Sequence, residues 1–479
     1  MPTEDVFPTL TDCARLFQGD QTLFDVKFFP YATEGDENIF AVTGEKDVFI
    51  FRTKEHADPP YELLGWYKDA YNSLVWTIDP TTQRPLICLA GSSPKQIKIL
   101  DALTGKPLRT LPGHGKGIND LAISPLSTNI LASASEDYTI RLWDLRPQFE
   151  SQPCVAMFSG EGHKQPTLSI HFHPNGRWLL SGGLDTAVCL WAVPDLDQLD
   201  KPEDEINQHT NPTVIYYPHF MSTEVHHNYV DCLHFYGDLI FSRACRDQNA
   251  KPENEILLWK IDGFDHDEPP PADPPIPGPT TYTRSSFPHS PRSRGFQRLL
   301  SFSIPYTDRF YHRFGLLHQP GMRPILSMGN QNSTFLFWDL QKLEEGWDPA
   351  EEKKKGRGRA GKKAKQNVSS ENLNRLGSVR SESVASDSKS TGGGATPKLS
   401  STSISTPLTA PERKFALSDP FTPIKAHFSV TPKTKLCRNA RGLDEHFATS
   451  QMAWSPDGKW LVACGDKGVV CLFHRDRAA

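Results

Sequence analysis

The chain has 479 residues and a formal net charge of −5, and 37% of its residues are hydrophobic. This composition suffices for a large buried core, and the near-neutral charge argues against a generally basic surface that binds nucleic acid. The nine cysteines form no CxxC pair and no Cys/His cluster at metal-ligand spacing. The first residues, MPTEDVFPTL, lack the positive and apolar regions of a signal peptide, and no apolar run approaches the roughly 18 residues of a membrane span. We expect a soluble intracellular protein with reduced thiols, no metal, no cofactor and no membrane contact.

Short β-prone runs, separated by turn-forming clusters, follow one another along the chain and fall into seven sets. In chain order the sets are TLFDVKFF, NIFAVTG, DVFIFRT and YELLGWY; YNSLVWTID, LICLAG, QIKILDA and PLRTLPG; INDLAIS, ILASAS, TIRLWD and CVAMFSG; TLSIHFHP, WLLSGG, AVCLWAV and TVIYYP; YVDCLHFYGD, LIFSRA, EILLWKI and RLLSFSI; FYHRFGLLH, PILSMG, TFLFWDL and IKAHFSV; ATSQMAWSPDG, WLVACGD and VVCLFHR.

The third set opens with Gly113-His114 and closes with Trp143-Asp144, the signature of a WD repeat. Four side chains at characteristic spacing recur one set later, in the order His, Ser, Asp, Trp: His114, Ser133, Asp137 and Trp143, then His163, Ser181, Asp185 and Trp191. A catalytic Ser-His-Asp set does not repeat along a chain, whereas a structural brace does. The pattern therefore predicts an all-β, seven-bladed WD-repeat propeller in which these eight residues tie each blade together.

The last set has only three strands, because the chain stops after VVCLFHR. Ring closure removes exposed strand edges, so residues 1–22 are expected to supply the missing strand of the seventh blade. The fifth set retains His227, Ser242 and Trp259 of the brace, and the sixth retains Trp338-Asp339.

Two insertions interrupt an otherwise single propeller over residues 1–479. Residues 262–297 are Pro-rich, residues 343–415 are basic and then Ser-rich, and both are expected to be disordered inter-strand loops. Residues 353–365 contain eight Lys/Arg, which fits a nuclear localisation signal, a weak contact to nucleic-acid phosphates or a solvated linker.

No P-loop, dinucleotide fingerprint, GxSxG motif or metal cluster points to catalysis, so no catalytic residue and no enzyme are predicted. Aromatic residues instead begin three innermost strands: Phe24, Tyr71 and the pair Phe310-Tyr311. If they converge at the channel mouth, they form a cage for a quaternary ammonium such as trimethyl-lysine. The competing interpretation is that they cap the core.

The chain resembles the embryonic ectoderm development / extra sex combs family, the WD-repeat subunit of Polycomb repressive complex 2. The resemblance rests on TLFDVKF, EGDENIFAVTG, PLICLAGS, GHGKGINDLAISP, LASASEDYTIRLWD, GEGH, HHNYVDCLHFYGDLIFS and LSMGNQNSTFLFWDL. HNYVDC followed by GDLI is far more specific than a generic WD motif. The resemblance covers all seven blades and lapses in the two insertions and over residues 1–15.

In that family an aromatic cage binds the trimethylated lysine of the histone H3 tail, and its positions fall on Phe24, Tyr71, Phe310 and Tyr311. Phe310 stands where the family typically has Trp, which weakens the cation–π attraction. The resemblance also implies peptide contacts at Asn119, Arg313 and Asp466, although Asp466 equally fits an ordinary turn.

The resemblance further implies a nuclear, non-catalytic scaffold that holds an Enhancer-of-zeste-type SET-domain methyltransferase and other subunits of the complex. Capture of the methyl mark then stimulates the catalytic subunit allosterically, which requires the active state to bind the mark better. The alternative function is a general WD-repeat adaptor without a methyl-lysine pocket.

Overall fold

The computed structural model describes residues 6–16, 21–32, 37–195, 211–245, 254–278, 282–344, 419–432, 437–438 and 446–475. These residues form seven β-sheets of four or five strands, which confirms the predicted all-β seven-bladed propeller. The sheets belong to one compact unit, residues 1–342 with 417–479; a second unit, residues 343–416, lies outside the described residues except for its first two. No helix in the described ranges is long and apolar enough to cross a membrane.

The chain begins with strand β1, Thr9–Arg15. The first blade contains β2 (Leu23–Phe28), β3 (Ile39–Gly44), β4 (Asp47–Thr53) and β5 (Tyr61–Lys68). The second contains β6 (Ser73–Ile78), β7 (Pro85–Ala90), β8 (Gln96–Asp101) and β9 (Pro107–Pro112). The third contains β10 (Ile118–Ile123), β11 (Ile130–Ser135), β12 (Ile140–Asp144), β13 (Cys154–Phe158) and, further along the chain, β17 (Thr213–Ile215).

The fourth blade contains β14 (Thr167–Phe172), β15 (Trp178–Gly183), β16 (Val188–Ala192), β18 (Phe220–Ser222) and β22 (Thr283–Ser285). The fifth contains β19 (Val230–Tyr236), β20 (Leu239–Ala244), β21 (Glu255–Ile261) and β23 (Phe296–Ser303). The sixth contains β24 (Gly315–Leu317), β25 (Ile325–Gly329), β26 (Phe335–Asp339) and β27 (Phe428–Val430). The seventh contains β28 (Cys437–Arg438), β29 (Thr449–Trp454), β30 (Trp460–Gly465) and β31 (Val469–His474), joined by β1.

Within the described residues the helical segments are short: an α-helix, α1 (Leu340–Glu344), and 3-10 turns at Pro147–Phe149 and Asp466–Gly468. The innermost strands β2, β6, β10, β14, β19, β24 and β29 line the central channel of the ring.

The ring closes as predicted, because β1 pairs antiparallel with β31 over the register Thr9↔His474 to Arg15↔Val469. The buried thiols of Cys13 and Cys471 face each other in this pairing, with their sulfur atoms 3.2 Å apart. The N-terminal strand therefore supplies backbone partners to a strand edge that is otherwise exposed.

One strand assignment from the sequence is wrong. The run TVIYYP is not the outer strand of the fourth blade, because β17 pairs in parallel with β13 of the third. The fourth blade uses β18 instead, which pairs with β16 over Val188↔Ser222. A short β-branched run fits any open sheet edge, so its sequence alone does not select the blade.

The expectation of a disordered loop over 262–297 is also wrong for its described residues, 262–278 and 282–297. There β22 extends the fourth blade beyond β18. Phe264 and Phe287 are buried, and their rings lie 5.4 Å apart against Trp178. Two buried aromatic rings compensate for the ordering entropy that the Pro-rich composition appeared unable to offset. The second insertion and the basic segment 353–365 lie almost wholly outside the described residues.

Candidate ligand-binding site at the mouth of the central channel

The third and fourth blades are held by matching hydrogen-bond chains. In the third, His114 lies 2.9 Å from Asp137 through Nδ1 and 2.7 Å from Ser133 through Nε2, and the Trp143 indole N–H donates to the Ser133 hydroxyl at 2.8 Å. Burial lowers the pKa of His114, so the imidazole is neutral at pH 7. Its Nδ1–H then donates to Asp137 and its Nε2 accepts from Ser133. Each of the four side chains thus has a hydrogen-bond partner.

The fourth blade repeats this geometry. His163 lies 3.0 Å from Asp185 and 2.8 Å from Ser181, and Trp191 donates to Ser181 at 2.9 Å. The glycine before the histidine has a steric reason, since a Cβ on Gly162 would lie 2.3 Å from the Trp191 ring.

In the fifth blade one predicted brace residue is wrong. His226, not His227, contacts Ser242, with 2.7 Å between Nε2 and the hydroxyl, and Trp259 donates to the same hydroxyl at 2.8 Å. His227 is exposed. Two adjacent histidines are indistinguishable by spacing, and only the course of the loop before β19 decides which one turns inward.

Three of the four predicted cage rings meet at the mouth of the channel. The ring of Phe24, at the start of β2, lies 6.5 Å from that of Tyr311, and the ring of Phe310 lies edge-on to Tyr311 at 4.1 Å. Phe310 is 41% exposed, while Phe24 and Tyr311 are half-buried. The strand entrances of the first and sixth blades thus bring together an open aromatic surface.

Tyr71 has a different environment. It is buried beside β6, its hydroxyl donates to Asp69, and Lys98 lies 5.6 Å from the centre of its ring. Burial, and then Asp69, raises the pKa of Tyr71, so the phenol stays neutral. Within the described residues no ring-to-ring contact joins Tyr71 to Phe24 or Tyr311.

A polar layer lies directly beneath the rings and crosses the channel from the sixth blade to the third. The Tyr311 hydroxyl donates to the Asn119 side-chain oxygen at 3.0 Å, and the Asn119 amide donates to the Thr167 carbonyl at 2.9 Å. Arg313 donates to Asp120 at 2.9 Å and to the Leu168 carbonyl at 3.1 Å.

The ion pair in this layer stays charged. Burial alone would lower the pKa of Arg313, but Asp120 and then Asp25 outweigh burial and raise it. Burial alone would raise the pKa of Asp120, but Arg313 and Lys27 outweigh it and lower that pKa. The pair therefore joins opposite sides of the ring.

The three residues predicted to contact a peptide all make side-chain hydrogen bonds within the protein. Asn119 and Arg313 are buried and bonded as described above. Asp466 accepts from the Ala448 backbone N–H and from Arg309, both at 2.7 Å. In this conformation these residues fix the walls of the mouth, and direct peptide contact by them stays a prediction.

Sequence reasoning missed Tyr229 at the mouth. Its ring lies 5.3 Å from that of Phe310, and it immediately precedes β19. The signal was present, because Tyr229 occupies the same strand-entrance position that singled out Phe24 and Tyr71.

Beyond the polar layer the channel contains a cavity of about 610 Å³. Its walls are mainly apolar residues of the innermost strands, with the imidazole rings of His171 and His234 4.1 Å apart and tilted by 41°. Arg313 and Asp120 line it at the end nearest the cage.

At the turns of the fourth and fifth blades the fold brings together His173, Asp238 and His266, whose ligand atoms lie within 4.8 Å of one another. No sequence motif predicts this grouping. His173 Nδ1 accepts the Asn175 backbone N–H at 3.2 Å, so its proton is on Nε2, which faces Asp238 at 3.6 Å. A metal ligand requires the opposite arrangement, and the group is better described as a histidine–aspartate contact.

Comparisons with known proteins agree with this architecture. The family model described as "WD domain, G-beta repeat" matches residues 105–144, 152–192 and 438–474. Polycomb protein EED of Chaetomium thermophilum is 42% identical over 358 residues, which is 71% of this chain and 60% of that relative. Polycomb protein esc of Drosophila melanogaster is 26% identical over 66% of this chain and 70% of its own length.

Solved structures extend the similarity over nearly the whole chain. A chain in the crystal structure of the Chaetomium thermophilum polycomb repressive complex 2 is 34% identical, with a TM-score of 0.74, and the match covers 99% of this chain and 98% of the other. A structure described as ctPRC2 in complex with H3K27me3 and H3K27M matches equally well, at 34% identity, a TM-score of 0.74 and 98% coverage of both chains.

Proposed function

This chain belongs to the EED/esc family of Polycomb WD-repeat proteins, and we propose that it is the non-catalytic scaffold and methyl-lysine reader of a nuclear histone H3 methyltransferase complex. Its partners are then an Enhancer-of-zeste-type SET-domain methyltransferase, the other subunits of Polycomb repressive complex 2, and the trimethylated H3 tail.

One observation carries the reader proposal: the rings of Phe24, Phe310 and Tyr311 converge at an open channel mouth. Trimethylammonium is favoured there because it keeps its charge, sheds water easily and is attracted to aromatic faces, by about 0.5–2 kcal/mol per contact. The structure described as containing H3K27me3, in a complex with a chain of the same fold, supports this choice of ligand.

The Tyr71 environment makes the proposal specific. The Lys98 ammonium lies over the Tyr71 ring and 2.5 Å from the Asp69 carboxylate. One face of the Tyr71 ring is therefore already in contact with a cation of the protein itself. The methyl-lysine cage would therefore consist chiefly of Phe24, Phe310 and Tyr311, with Tyr71 at its edge.

Allosteric stimulation of the methyltransferase would follow if the mark binds the active state of the complex more tightly than the inactive one. The polar layer below the cage is where such coupling would start, since Tyr311 and Arg313 connect the sixth blade to Asn119 and Asp120 of the third.

The test is a titration of the purified chain with trimethylated and unmodified H3 peptides. We expect preference for the trimethylated peptide and a loss of about tenfold or more in Tyr311→Ala, the free energy of at least one cation–π contact. Phe421→Ala is the matched control, because it removes an exposed aromatic ring that is not one of the proposed cage rings.

Equal binding of both peptides would leave the alternative, a WD-repeat adaptor without a methyl-lysine pocket. Co-purification with a SET-domain partner separately tests the scaffold role, and a stable complex without peptide discrimination would retain the scaffold and remove the reader.

A further inference from the structure

The loop that carries Phe310 and Tyr311 connects β23 to β24 and follows an unusual course. Tyr306 and Tyr311, which are not glycines, both have φ near +60°. Side chains with a Cβ disfavour this left-handed region, so such residues persist only where the surroundings hold them. The orientation of the two cage rings thus depends on whatever fixes the backbone between Tyr306 and Tyr311.

One side of this loop is held by Arg243, on β20 of the fifth blade. Arg243 and its partner Asp231 are both fully buried, and the guanidinium reaches beyond the carboxylate to the Thr307 carbonyl and, at 3.2 Å, to the Arg309 carbonyl. A buried ion pair is weak evidence for stability, because desolvation offsets much of its attraction. The Arg243 guanidinium, with several N–H donors in a rigid planar arrangement, is nevertheless well suited to fixing backbone carbonyls.

The opposite side of the loop is held by Gln331, in the turn between β25 and β26. Its side-chain oxygen, oriented to satisfy both partners, accepts the backbone N–H groups of Asp308 and Arg309 at 3.0 and 2.9 Å. Its own backbone N–H donates to the Tyr306 carbonyl at 2.9 Å. Arg243 therefore binds carbonyls, and Gln331 binds N–H groups, of the same few residues.

A third contact limits sideways movement of the loop. The Asn254 amide donates to the Asp308 carboxylate at 2.7 Å, and the backbone N–H of Ile304 donates to the Asn254 carbonyl at 2.9 Å. The backbone before Phe310 is consequently anchored to both the fifth and the sixth blade.

We propose that Arg243 and Gln331 form a clamp that positions Phe310 and Tyr311 for the trimethylammonium ligand, so that they set peptide affinity without touching the peptide. The proposal rests on the proposed reader function and adds two positioning residues to it. A lysine at position 243 keeps the charge opposite Asp231, but its single ammonium cannot hold Asp231 and two carbonyls in one fixed geometry.

The experiment compares Arg243→Lys with Arg298→Lys. Arg298 is a matched control in the same blade, because it also joins a carboxylate and a carbonyl, those of Glu255 at 2.6 Å and Pro420 at 2.8 Å, away from the cage loop. Three quantities are measured: the thermal unfolding midpoint, the dissociation constant for trimethylated H3 peptide, and amide hydrogen exchange in the segment 305–311 by mass spectrometry.

We expect Arg243→Lys to bind the peptide about tenfold more weakly, the equivalent of one lost cation–π contact. Exchange in 305–311 should accelerate while exchange elsewhere in the fifth blade stays unchanged, and Arg298→Lys should match the wild type in both measurements. A general loss of stability would instead accelerate exchange throughout the blade.

Gln331 keeps the proposal testable if Arg243→Lys fails to fold. Gln331→Ala removes the side-chain oxygen that accepts the N–H groups of Asp308 and Arg309 and should weaken binding, whereas Gln331→Glu retains an acceptor oxygen and should keep both the affinity and the slow exchange. Wild-type affinity and exchange in Arg243→Lys and in Gln331→Ala would overturn the clamp. If the wild-type chain does not discriminate between the peptides, the reader function fails by itself, and the exchange measurement still decides whether the two residues fix the loop.

Discussion

The third and fourth blades and the channel mouth are built on opposite principles. The two blades repeat one series of His-Ser-Asp-Trp hydrogen bonds, and corresponding distances differ by about 0.1 Å. The mouth, in contrast, combines single aromatic residues from the first and sixth blades over a polar layer that repeats nowhere in the described ring. Repetition serves stability, since each blade needs the same brace, whereas a binding site needs one asymmetric arrangement of side chains.

This comparison predicts that changes in the brace alter stability, and that changes at the mouth alter binding. The largest effect is expected for Trp143→Ala, which removes a fully buried indole and its bond to Ser133. The free energy of unfolding should fall by about 3–5 kcal/mol in urea denaturation. The peptide dissociation constant of the folded protein should not change, and a change of tenfold at temperatures where the variant is folded would contradict the separation.

His114→Ala should have the next largest effect, because it removes the buried imidazole that bonds to both Ser133 and Asp137. The expected cost is about 1–3 kcal/mol in the free energy of unfolding. His163→Ala in the fourth blade is the natural comparison, since its contacts to Ser181 and Asp185 match those of His114 to Ser133 and Asp137. Strongly unequal costs would show that the two braces, despite equal geometry, are not equivalent.

At the mouth, His312 gives a pH-dependent prediction. Burial, followed by Arg243 and Arg309, lowers the pKa of His312 from 6.5 to about 3. The unfolded chain then binds more protons than the folded one below pH 6.5. The stability contribution is complete above that pH and is lost as the pH falls towards 3, at about 1.4 kcal/mol per pH unit.

His312→Gln should therefore reduce the slope of unfolding free energy against pH, measured in urea at pH 7, 6 and 5. His427, whose pKa burial lowers to about 3 in the sixth blade, is the control outside the mouth, and His427→Gln should reduce the slope similarly. Both variants should reduce the slope, but only His312→Gln should also alter peptide affinity. That result would show that binding depends on the channel mouth and not on every buried histidine. An unchanged slope in His312→Gln would contradict the buried neutral imidazole.

The smallest effect is expected for Phe310→Trp, which restores the residue typical of the family. Indole attracts a cation more strongly than phenyl does, by about 0.5–1 kcal/mol at an exposed position, so the peptide should bind about two- to fivefold more tightly. Phe421→Trp, on another exposed ring, should leave affinity unchanged. Weaker binding by Phe310→Trp would place the ring outside the cage.

The sequence by itself determined the architecture. Strand periodicity, turn residues and two copies of the WD signature were sufficient for seven blades, for closure by the N-terminal strand and for the brace residues of the third and fourth blades, because these features depend on local pattern and on repetition. Strand-entrance position selected Phe24, Tyr71, Phe310 and Tyr311 as candidate cage residues, of which Phe24, Phe310 and Tyr311 have rings in contact, and applied consistently it also includes Tyr229.

Only the tertiary structure decided the remainder, for a physical reason common to each case. The choice of His226 over His227, the pairing of Thr213–Ile215 with the third blade and the ordering around Phe264 all depend on partners distant in sequence. The same holds for Arg243 and Gln331, which lie about 65 and 20 residues from the loop that they hold. Sequence pattern specifies which residues form strands and which side chains must be buried; the contacts that orient an aromatic cage exist only once the ring has closed.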